Sequence, residues 1–411
     1  MMTRTRTRRA ALAAVLALPL ALGACSSSSG DDASGGPLEL TALDYYTDEP
    51  SHTDTEKRLS DCAAQAGATI SHSSVPSSQY NARVLQQVSA KTVPDVVMVN
   101  NPDLPQFAST GALVPLTDLD VDTSGYLPSV LETGQYEGDL YGLAPNVNTL
   151  VLFYNTQMLA DAGVAVPTTW PELEAAAAAL TTPEHQGFAY AAASGTEGTW
   201  TFIPFLWGNG GSQLDLTSPQ AQEAVSFYTG LATKGYVSTS AVNWTQADAK
   251  DQFAAGRAAM MINGPWQIPS LNATEGLQWA STTIPVPAAG DTPVAPLGGE
   301  LWTVGRSTPE REQAAASVVT CLNAPQTQLA TALQNNTVPS DSASAQQLAQ
   351  QQPEMAPIVQ TVTTAKALTS DSGLKWPAVD AALSTAIQAV ISGQESVPDA
   401  LAAAQADVEA Q

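Results

Sequence analysis

Short apolar strands alternate with amphipathic helices along this chain, and that alternation limits its fold more than any other feature. Residues 38–43 read as a strand, and the nearly continuous apolar run 93–99 is typical of a strand buried on both faces of a sheet. A further strand is predicted at 150–154 and another at 258–262. This order predicts the α/β class. Because 411 residues exceed one ordinary domain, we expect two lobes that face each other across a cleft.

Two sequence signals mark the starts of helices. Thr53 with Glu56, and Thr169 with Glu172, have the spacing of a capping box, in which each side chain satisfies a free backbone N–H of the first turn. We expect helices to begin at Thr53 and just after Thr169.

The N-terminal segment has the pattern of a secretory signal. Four arginines among residues 4–9 precede an apolar run of about a dozen residues, which is shorter than the roughly 20 needed to span a bilayer. The ending Leu22-Gly23-Ala24-Cys25 resembles the bacterial lipoprotein box, in which the cysteine carries acyl chains. We expect residues 1–24 to be a signal peptide, and Cys25 to be lipidated within a flexible tether, 25–37, at the outer face of the cytoplasmic membrane.

The charge balance excludes several classes of partner. The chain has 15 Lys and Arg against 39 Asp and Glu, a net charge of −24. Loss of residues 1–24 removes four arginines and no acid, which leaves 11 basic residues and a net charge of −28. Nucleic acid is bound through Lys and Arg, so we expect no nucleic-acid partner. With only 11 basic residues, the chain also has few groups that could bind an anionic ligand, so we expect a neutral ligand.

Two cysteines remain beyond the signal segment. Cys62 and Cys321 each fall on the apolar stripe of a predicted helix, so both thiols are expected to face a core. They are either two buried free thiols or, as an extracellular location favours, a disulfide between distant segments.

No assembled catalytic or metal site is visible. The chain has three His, none paired on a helix, and it lacks a Gly-x-Ser-x-Gly elbow and a phosphate loop. We therefore expect no catalytic residue, no metal and no cofactor. Scattered carboxylates leave a glycosidase pair open as an alternative.

The tryptophans suggest the ligand. Trp200, Trp266 and Trp376 lie in segments rich in Gly, Asn, Thr and Pro, so we expect them outside regular apolar helix stripes and exposed in a cleft. Flat aromatic rings stack on the C–H faces of sugars, while amides and carboxylates pair with the hydroxyls. A neutral polyol fits both observations.

One long motif and several shorter ones occur in a fixed order along the chain. The long motif is Phe253-Ala254-Ala255-Gly256-Arg257-Ala258-Ala259-Met260-Met261-Ile262-Asn263-Gly264-Pro265-Trp266. The shorter ones are Pro94-Asp95-Val96-Val97, Tyr154-Asn155-Thr156, Leu297-Gly298-Gly299 and Ser392-Gly393-Gln394. This ordered set resembles the family-1 extracellular solute-binding proteins, the sugar-capturing components of ABC importers, and the long motif is its most diagnostic stretch. The resemblance covers roughly residues 38–411.

The resemblance implies a two-lobed, type II periplasmic-binding-protein-like fold with discontinuous lobes. Lobe I would take 38–142 and 302–337, and lobe II would take 146–297 and 340–411. The hinge would lie near 142–145, 298–301 and 337–339, where Gly and Pro occur.

The resemblance also implies the ligand-binding residues. Trp266 and Trp200 correspond to stacking aromatics, and Asn100, Asn101 and Asp103 to a polar loop. The full set is Tyr45, Tyr46, Asp48, Asn100, Asn101, Asp103, Asn148, Trp200, Trp266, Glu300, Trp376 and Asp380. In the maltose-binding members, an acidic residue stands at the position of Asn148 and an aromatic residue at the position of Asp380. The resemblance therefore leaves it open whether the ligand is maltodextrin or another sugar.

The expected function is that of a monomeric, lipid-anchored binding protein. It would capture a neutral sugar or oligosaccharide by lobe closure and deliver it to ABC permease subunits, without chemistry of its own. The alternatives are a secreted glycan hydrolase or lyase and a surface adhesin.

Overall fold

The computed structural model describes residues 37–410, and its elements are numbered here in chain order. The strands are β1 Leu38–Asp44, β2 Ala68–Ser74, β3 Val96–Asn100, β4 Leu113–Val114, β5 Gln135–Tyr136, β6 Asp139–Leu140, β7 Gly142–Leu143, β8 Asn146–Val147, β9 Val151–Asn155, β10 Gln186–Ala189, β11 Ala258–Asn263, β12 Trp279–Thr282, β13 Pro296–Leu297, β14 Glu300–Gly305, β15 Val338–Pro339 and β16 Lys366–Ala367. The helices are α1 Ser51–Gln65, α2 Ser77–Ala90, α3 Leu104–Ala108, α4 Pro128–Thr133, α5 Thr156–Asp161, α6 Trp170–Leu180, α7 Thr196–Gly208, α8 Pro219–Thr233, α9 Gln246–Ala254, α10 Ile268–Ala273, α11 Pro309–Leu322, α12 Pro325–Asn335, α13 Ser342–Gln351, α14 Ala356–Val362, α15 Trp376–Ile391 and α16 Val397–Glu409.

The larger sheet has the strand order β2-β1-β3-β14-β4, and β7 pairs with Trp302 and Thr303 in the middle of β14. Strand β1 runs parallel to β2 and β3, whereas β14 is antiparallel to β3, β4 and β7. The apolar residues of β3 have no exposed surface, as their continuous run predicts.

The smaller sheet has the order β10-β11-β9-β12. Strand β11 is parallel to β10 and antiparallel to β9, and β12 forms an antiparallel edge. Because β14 returns to the larger sheet after β9–β12 have formed the smaller one, the two sheets are interleaved in sequence. The predicted α/β alternation is therefore confirmed.

Three chain segments that pass between the sheets are hydrogen bonded side by side, and we call residues 145–148, 297–300 and 337–340 the junction. Strand β8 pairs with β15, and Asn148 exchanges two backbone hydrogen bonds of 2.9 Å with Gly298. Only glycine fits at residue 298, because a Cβ there would lie 2.2 Å from Oδ1 of Asn148. Gly299 has a φ of +141°, and a Cβ there would lie 2.8 Å from the carbonyl oxygen of Asn146.

A disulfide joins Cys62 of α1 to Cys321 of α11. The sequence allowed either two free thiols or this disulfide. The structure has the disulfide, with the two Cα atoms 5.5 Å apart. The predicted signal peptide and the lipid attachment at Cys25 lie outside the described residues, as does the tether up to residue 36. None of the helices that residues 37–410 form is long and apolar enough to cross a membrane.

Two local predictions are wrong. Helix α1 begins at Ser51, two residues before the predicted start at Thr53. The hydroxyl of Thr53 donates to the upstream carboxylate of Glu49 at 2.9 Å, so this side chain does not cap the helix. Trp200 lies inside α7, not in an irregular segment. That helix is buried on every side from Gly198 to Trp207, so it has no polar face and shows no apolar stripe in the sequence. The Thr169 capping box is confirmed.

Candidate functional site

Two tyrosines that follow β1 hold the side chain of Glu300. Tyr45 donates its hydroxyl to Oε1 of Glu300 at 2.6 Å, and the ring of Tyr46 packs edge-on against Tyr45 with centroids 5.3 Å apart. Burial, followed by the charge of Glu300, raises the pKa of both phenols well above the usual value. Both hydroxyls therefore remain protonated donors, and they orient a carboxylate that can accept hydroxyl groups.

The polar loop after β3 is tied to the junction. Asn101 is buried, donates its amide to the carbonyl of Leu297 at 2.8 Å, and donates its backbone N–H to Gly299 at 3.1 Å. Its Oδ1 is buried without a hydrogen-bond partner. Burial raises the pKa of Asp103, and hydrogen bonds from Asn81 and Asn100 oppose that shift. Asn101 thus fixes the loop that carries Asn100 and Asp103.

Asn148 and Trp200 meet at Gly298. A Cβ on Gly298 would lie 2.8 Å from Cη2 of Trp200 as well as 2.2 Å from Asn148, so both side chains cover this glycine. The indole Nε1 of Trp200 is buried without a partner. The edge of the ring therefore lies beside the junction, while its N–H is enclosed in the core.

Helix α15 brings Asp380 against the start of α7. Thr196 donates its hydroxyl to Oδ2 of Asp380 at 2.9 Å, and Thr199 donates to its backbone carbonyl at 3.1 Å. Burial raises the pKa of Asp380, while those threonines act in the opposite direction. Trp376, one turn earlier, is 4% exposed, Trp200 is 7% exposed, and both belong to one core. The expectation that these two rings are exposed in a cleft is therefore wrong, because the apolar helices α7 and α15 pack against each other and enclose them.

Among residues 37–410, no hydrogen bond links Trp266 or Asp48 to the junction. Trp266 is half-buried on the short 3₁₀ turn Pro265–Gln267 and packs against the same core as Trp200. Its ring covers Gly264, where a Cβ would lie 2.0 Å from Cζ3. Asp48 is exposed, and its carbonyl accepts the N–H of His52 in a turn.

Sequence reasoning missed two polar groups near this site. Asp44, His72 and Ser74 form a buried network behind Tyr46, with Nε2 of His72 2.8 Å from the Asp44 carboxylate. Arg58 of α1 lines a cavity with Tyr46 and Glu300. These residues are far apart in sequence and match no motif, so no spacing could have revealed them. In residues 37–410 there is no group of three or more His, Cys, Asp or Glu that could hold a metal ion.

Comparison with known proteins adds a family and a set of relatives. The model of the family described as bacterial extracellular solute-binding protein matches residues 57–361. A maltooligosaccharide ABC transporter solute-binding lipoprotein of Streptococcus pneumoniae is 24% identical over 329 residues, which cover 74% of this chain and 73% of the relative. Binding proteins of Brucella abortus and Brucella suis are 22% identical, and the match spans 59% of their length.

Solved structures resemble the chain over nearly its full length. The cyclic alpha-maltosyl-1,6-maltose binding protein of Arthrobacter globiformis has a TM-score of 0.81 at 24% identity, covering 91% of this chain and 99% of that one. A cyclo/maltodextrin-binding protein in complex with maltotetraose has a TM-score of 0.79 at 18% identity, covering 92% and 98%. At these identities the likeness concerns the fold.

Proposed function

Because this chain belongs to the bacterial extracellular solute-binding proteins, we propose that it captures a neutral sugar or oligosaccharide between two lobes and delivers it to an ABC importer. Its fold is the type II periplasmic-binding-protein fold, an α/β architecture of two lobes. Proteins of this family are the substrate-binding components of importers. They are not enzymes, and this chain, as a member of the family, is not an enzyme either.

The observation that carries the proposal is the convergence of candidate residues on Leu297–Glu300. Tyr45 reaches Glu300, Asn101 reaches Leu297, and Asn148 and Trp200 cover Gly298. The candidates offer aromatic surface, amides and carboxylates but no Lys or Arg. That chemistry suits a neutral solute with many hydroxyls. The maltooligosaccharide-binding name of the Streptococcus pneumoniae relative supports a sugar.

The junction supports a hinge at this place. We propose lobe I as 38–142 with 302–337, lobe II as 146–297 with 340–411, and the hinge near 142–145, 298–301 and 337–339. The paired strands β8 and β15 and the bridge between Asn148 and Gly298 hold the three segments together. Closure would follow from tighter binding of the ligand to the closed arrangement.

The proposed setting is the outer face of the cytoplasmic membrane. Lipidation of Cys25 and the tether 25–37 would hold a monomeric body beside its permease subunits. The lipoprotein name of the Streptococcus pneumoniae relative supports this setting.

A thermal-shift screen of the purified protein tests the proposal. Neutral mono- and oligosaccharides are compared with amino acids and with glycerophosphodiesters. A bound sugar at about 100 times its Kd adds about 2.7 kcal/mol to the free energy of unfolding and raises Tm. A rise of Tm with one of the other classes, and with no sugar, would contradict the carbohydrate proposal.

A further inference from the structure

A cavity lies at the junction, on the side where α1 and α12 approach it. All three junction segments border it, through Asn146, Glu300 and Thr337. Helix α1 contributes Arg58, and α12 contributes Asn335. The cavity has a volume of about 70 Å³.

The lining has the chemistry of a polyol site. Planar polar groups come from Arg58, Asn146, Asn335 and Glu300, and hydroxyl groups come from serine and threonine side chains. Rings of Tyr46 and Trp302 are also part of the wall. A compound with several hydroxyls can donate to the carboxylate and accept from the guanidinium at the same time.

Two side chains that border the cavity have unused hydrogen-bonding capacity. Asn146 is 7% exposed and donates its amide to the carbonyl of Gln328 at 2.9 Å, while its Oδ1 is without a partner. The hydroxyl of Thr337 is buried and is also without a partner. An unsatisfied buried polar atom costs about 1–3 kcal/mol. Both atoms have almost no surface that a water-sized group can reach, so a hydroxylated solute gains this affinity when either side chain turns towards the cavity.

The charges around the cavity favour a neutral occupant. Arg58 donates to Thr55 at 3.1 Å, and no ion pair among residues 37–410 includes Arg58 or Glu300. Burial lowers the pKa of Arg58, although the nearby Asp54 and Asp44 counteract it. The carboxylate of Glu300 would repel a small anion, and the guanidinium of Arg58 would repel a small cation. A neutral molecule is repelled by neither group.

We propose that this cavity binds a small neutral polyol of about six non-hydrogen atoms, in addition to the solute proposed for the cleft. The size follows from the volume of about 70 Å³, since one water needs about 10–15 Å³ of such space and the cavity therefore has room for about five to seven non-hydrogen atoms. Only Tyr46 and Glu300 are shared with the candidate sugar-binding residues. The rest of the wall belongs to α1, α12 and the junction.

The position of this site couples it to the junction. An occupant that touches all three segments binds best to one of their relative arrangements, so it shifts the equilibrium between arrangements. Linkage requires that a solute in the cleft then change the affinity for the polyol by the same factor as the reverse.

The test uses glycerol as the probe and the indole N–H signal of Trp302 in nitrogen-15 NMR spectra of the purified protein without sugar. A Trp302→Phe variant identifies the signal. We expect glycerol to shift it saturably, and Thr337→Val to weaken glycerol about two- to tenfold, since it removes one hydroxyl and keeps the shape of the side chain. The matched control is Thr233→Val, an exposed threonine at the end of α8, which should leave the response unchanged.

Three results would overturn the proposal. The shift could grow linearly without saturation, Thr337→Val and Thr233→Val could respond alike, or glycine at equal concentration could bind more tightly than glycerol and so identify a site for a zwitterion. Because no sugar is present, these results are independent of the proposed function. If a sugar is found, glycerol should change its apparent Kd to a limiting value, whereas competition in the cleft would raise that Kd without limit.

Discussion

The indole ring of Trp266 covers Gly264, so its half-buried face is held in one position by the backbone beneath it. A ring fixed in this way loses little conformational entropy when a ligand stacks on it. Trp266→Ala should therefore cost about 2 kcal/mol or more in sugar affinity, as the loss of aromatic anchors does. Isothermal titration with the sugar that the thermal screen identifies measures this cost.

The matched control for Trp266 is Trp279→Ala. Trp279 is also half-buried, but it lies on the edge strand β12 and packs against Phe153. Its loss should leave sugar affinity unchanged. Equal affinities for the parent and a folded Trp266→Ala variant would remove Trp266 from the site.

Asp380 gives a pH dependence at the residue scale. Because burial raises its pKa in the folded state, the ionised carboxylate opposes folding, and the free energy of unfolding rises as the pH falls through that pKa. Asp380→Asn should make the protein more stable than the parent at neutral pH, and the difference should shrink towards about pH 4. Urea denaturation across this pH range measures it.

Asp407→Asn, an exposed change on α16, is the control for Asp380. It should have no comparable effect at either pH. A stability difference between Asp380→Asn and the parent that stayed constant with pH would contradict the prediction. It would mean that ionisation of the Asp380 carboxylate does not oppose folding.

At the scale of elements, the contact between β1, the start of β3 and α11 depends on Asp95. Arg311 of α11 donates two hydrogen bonds of 2.8 and 2.6 Å to this carboxylate, and Thr41 of β1 donates two more of 2.8 Å. Burial alone would raise the pKa of Asp95, but these bonds outweigh it and lower the pKa. The stabilisation is therefore complete above the pKa of the unfolded state and is lost as the pH falls through the lowered pKa.

Arg311→Met should destabilise the fold by about 1–3 kcal/mol at neutral pH, because it leaves a 3% exposed carboxylate without its charged partner. Chemical denaturation measures the change. The control Lys57→Met breaks the exposed pair with Asp61 and should change stability by less than about 0.5 kcal/mol. Equal effects of the two changes would contradict this account.

Element starts show what short sequence patterns can predict. The capping box of Thr169 and Glu172 is present, because both groups lie at the true first turn of α6. The same spacing at Thr53 predicts the wrong start, since Glu49 provides an acceptor upstream. Trp200 was assigned to an irregular segment because α7 is apolar on all sides and lacks periodicity.

At the scale of the whole molecule, the disulfide joins segments 259 residues apart in sequence. It links α1, near the beginning of the folded body, to α11, which follows the return of the chain to the larger sheet. Replacing both cysteines by alanine should lower the free energy of unfolding by about 2–5 kcal/mol, since the unfolded chain then regains the entropy of a long loop. Thermal unfolding of the variant, compared with the parent kept oxidised, measures this loss. A Tm equal to that of the parent would contradict it.

The interleaved order of the sheets could be predicted, whereas the assembly at the junction could not. Apolar runs identify β3, β9 and β11, and the family resemblance implies that β14 returns to the first sheet. The cavity bordered by Arg58, Asn146, Trp302 and Thr337 requires the three-dimensional fold, because these residues lie in four separate segments and each is unremarkable in its own neighbourhood. The family resemblance predicts the candidate ligand residues. The structure shows which of them contact residues 297–300.

The central claim is that a neutral sugar closes two lobes around itself, and small-angle X-ray scattering of the purified protein tests it most directly. Profiles are recorded with and without a saturating concentration of the sugar that raises Tm. We predict a smaller radius of gyration with sugar and no change with a sugar that leaves Tm unaltered. A sugar that binds tightly while the radius of gyration stays constant would contradict capture by closure.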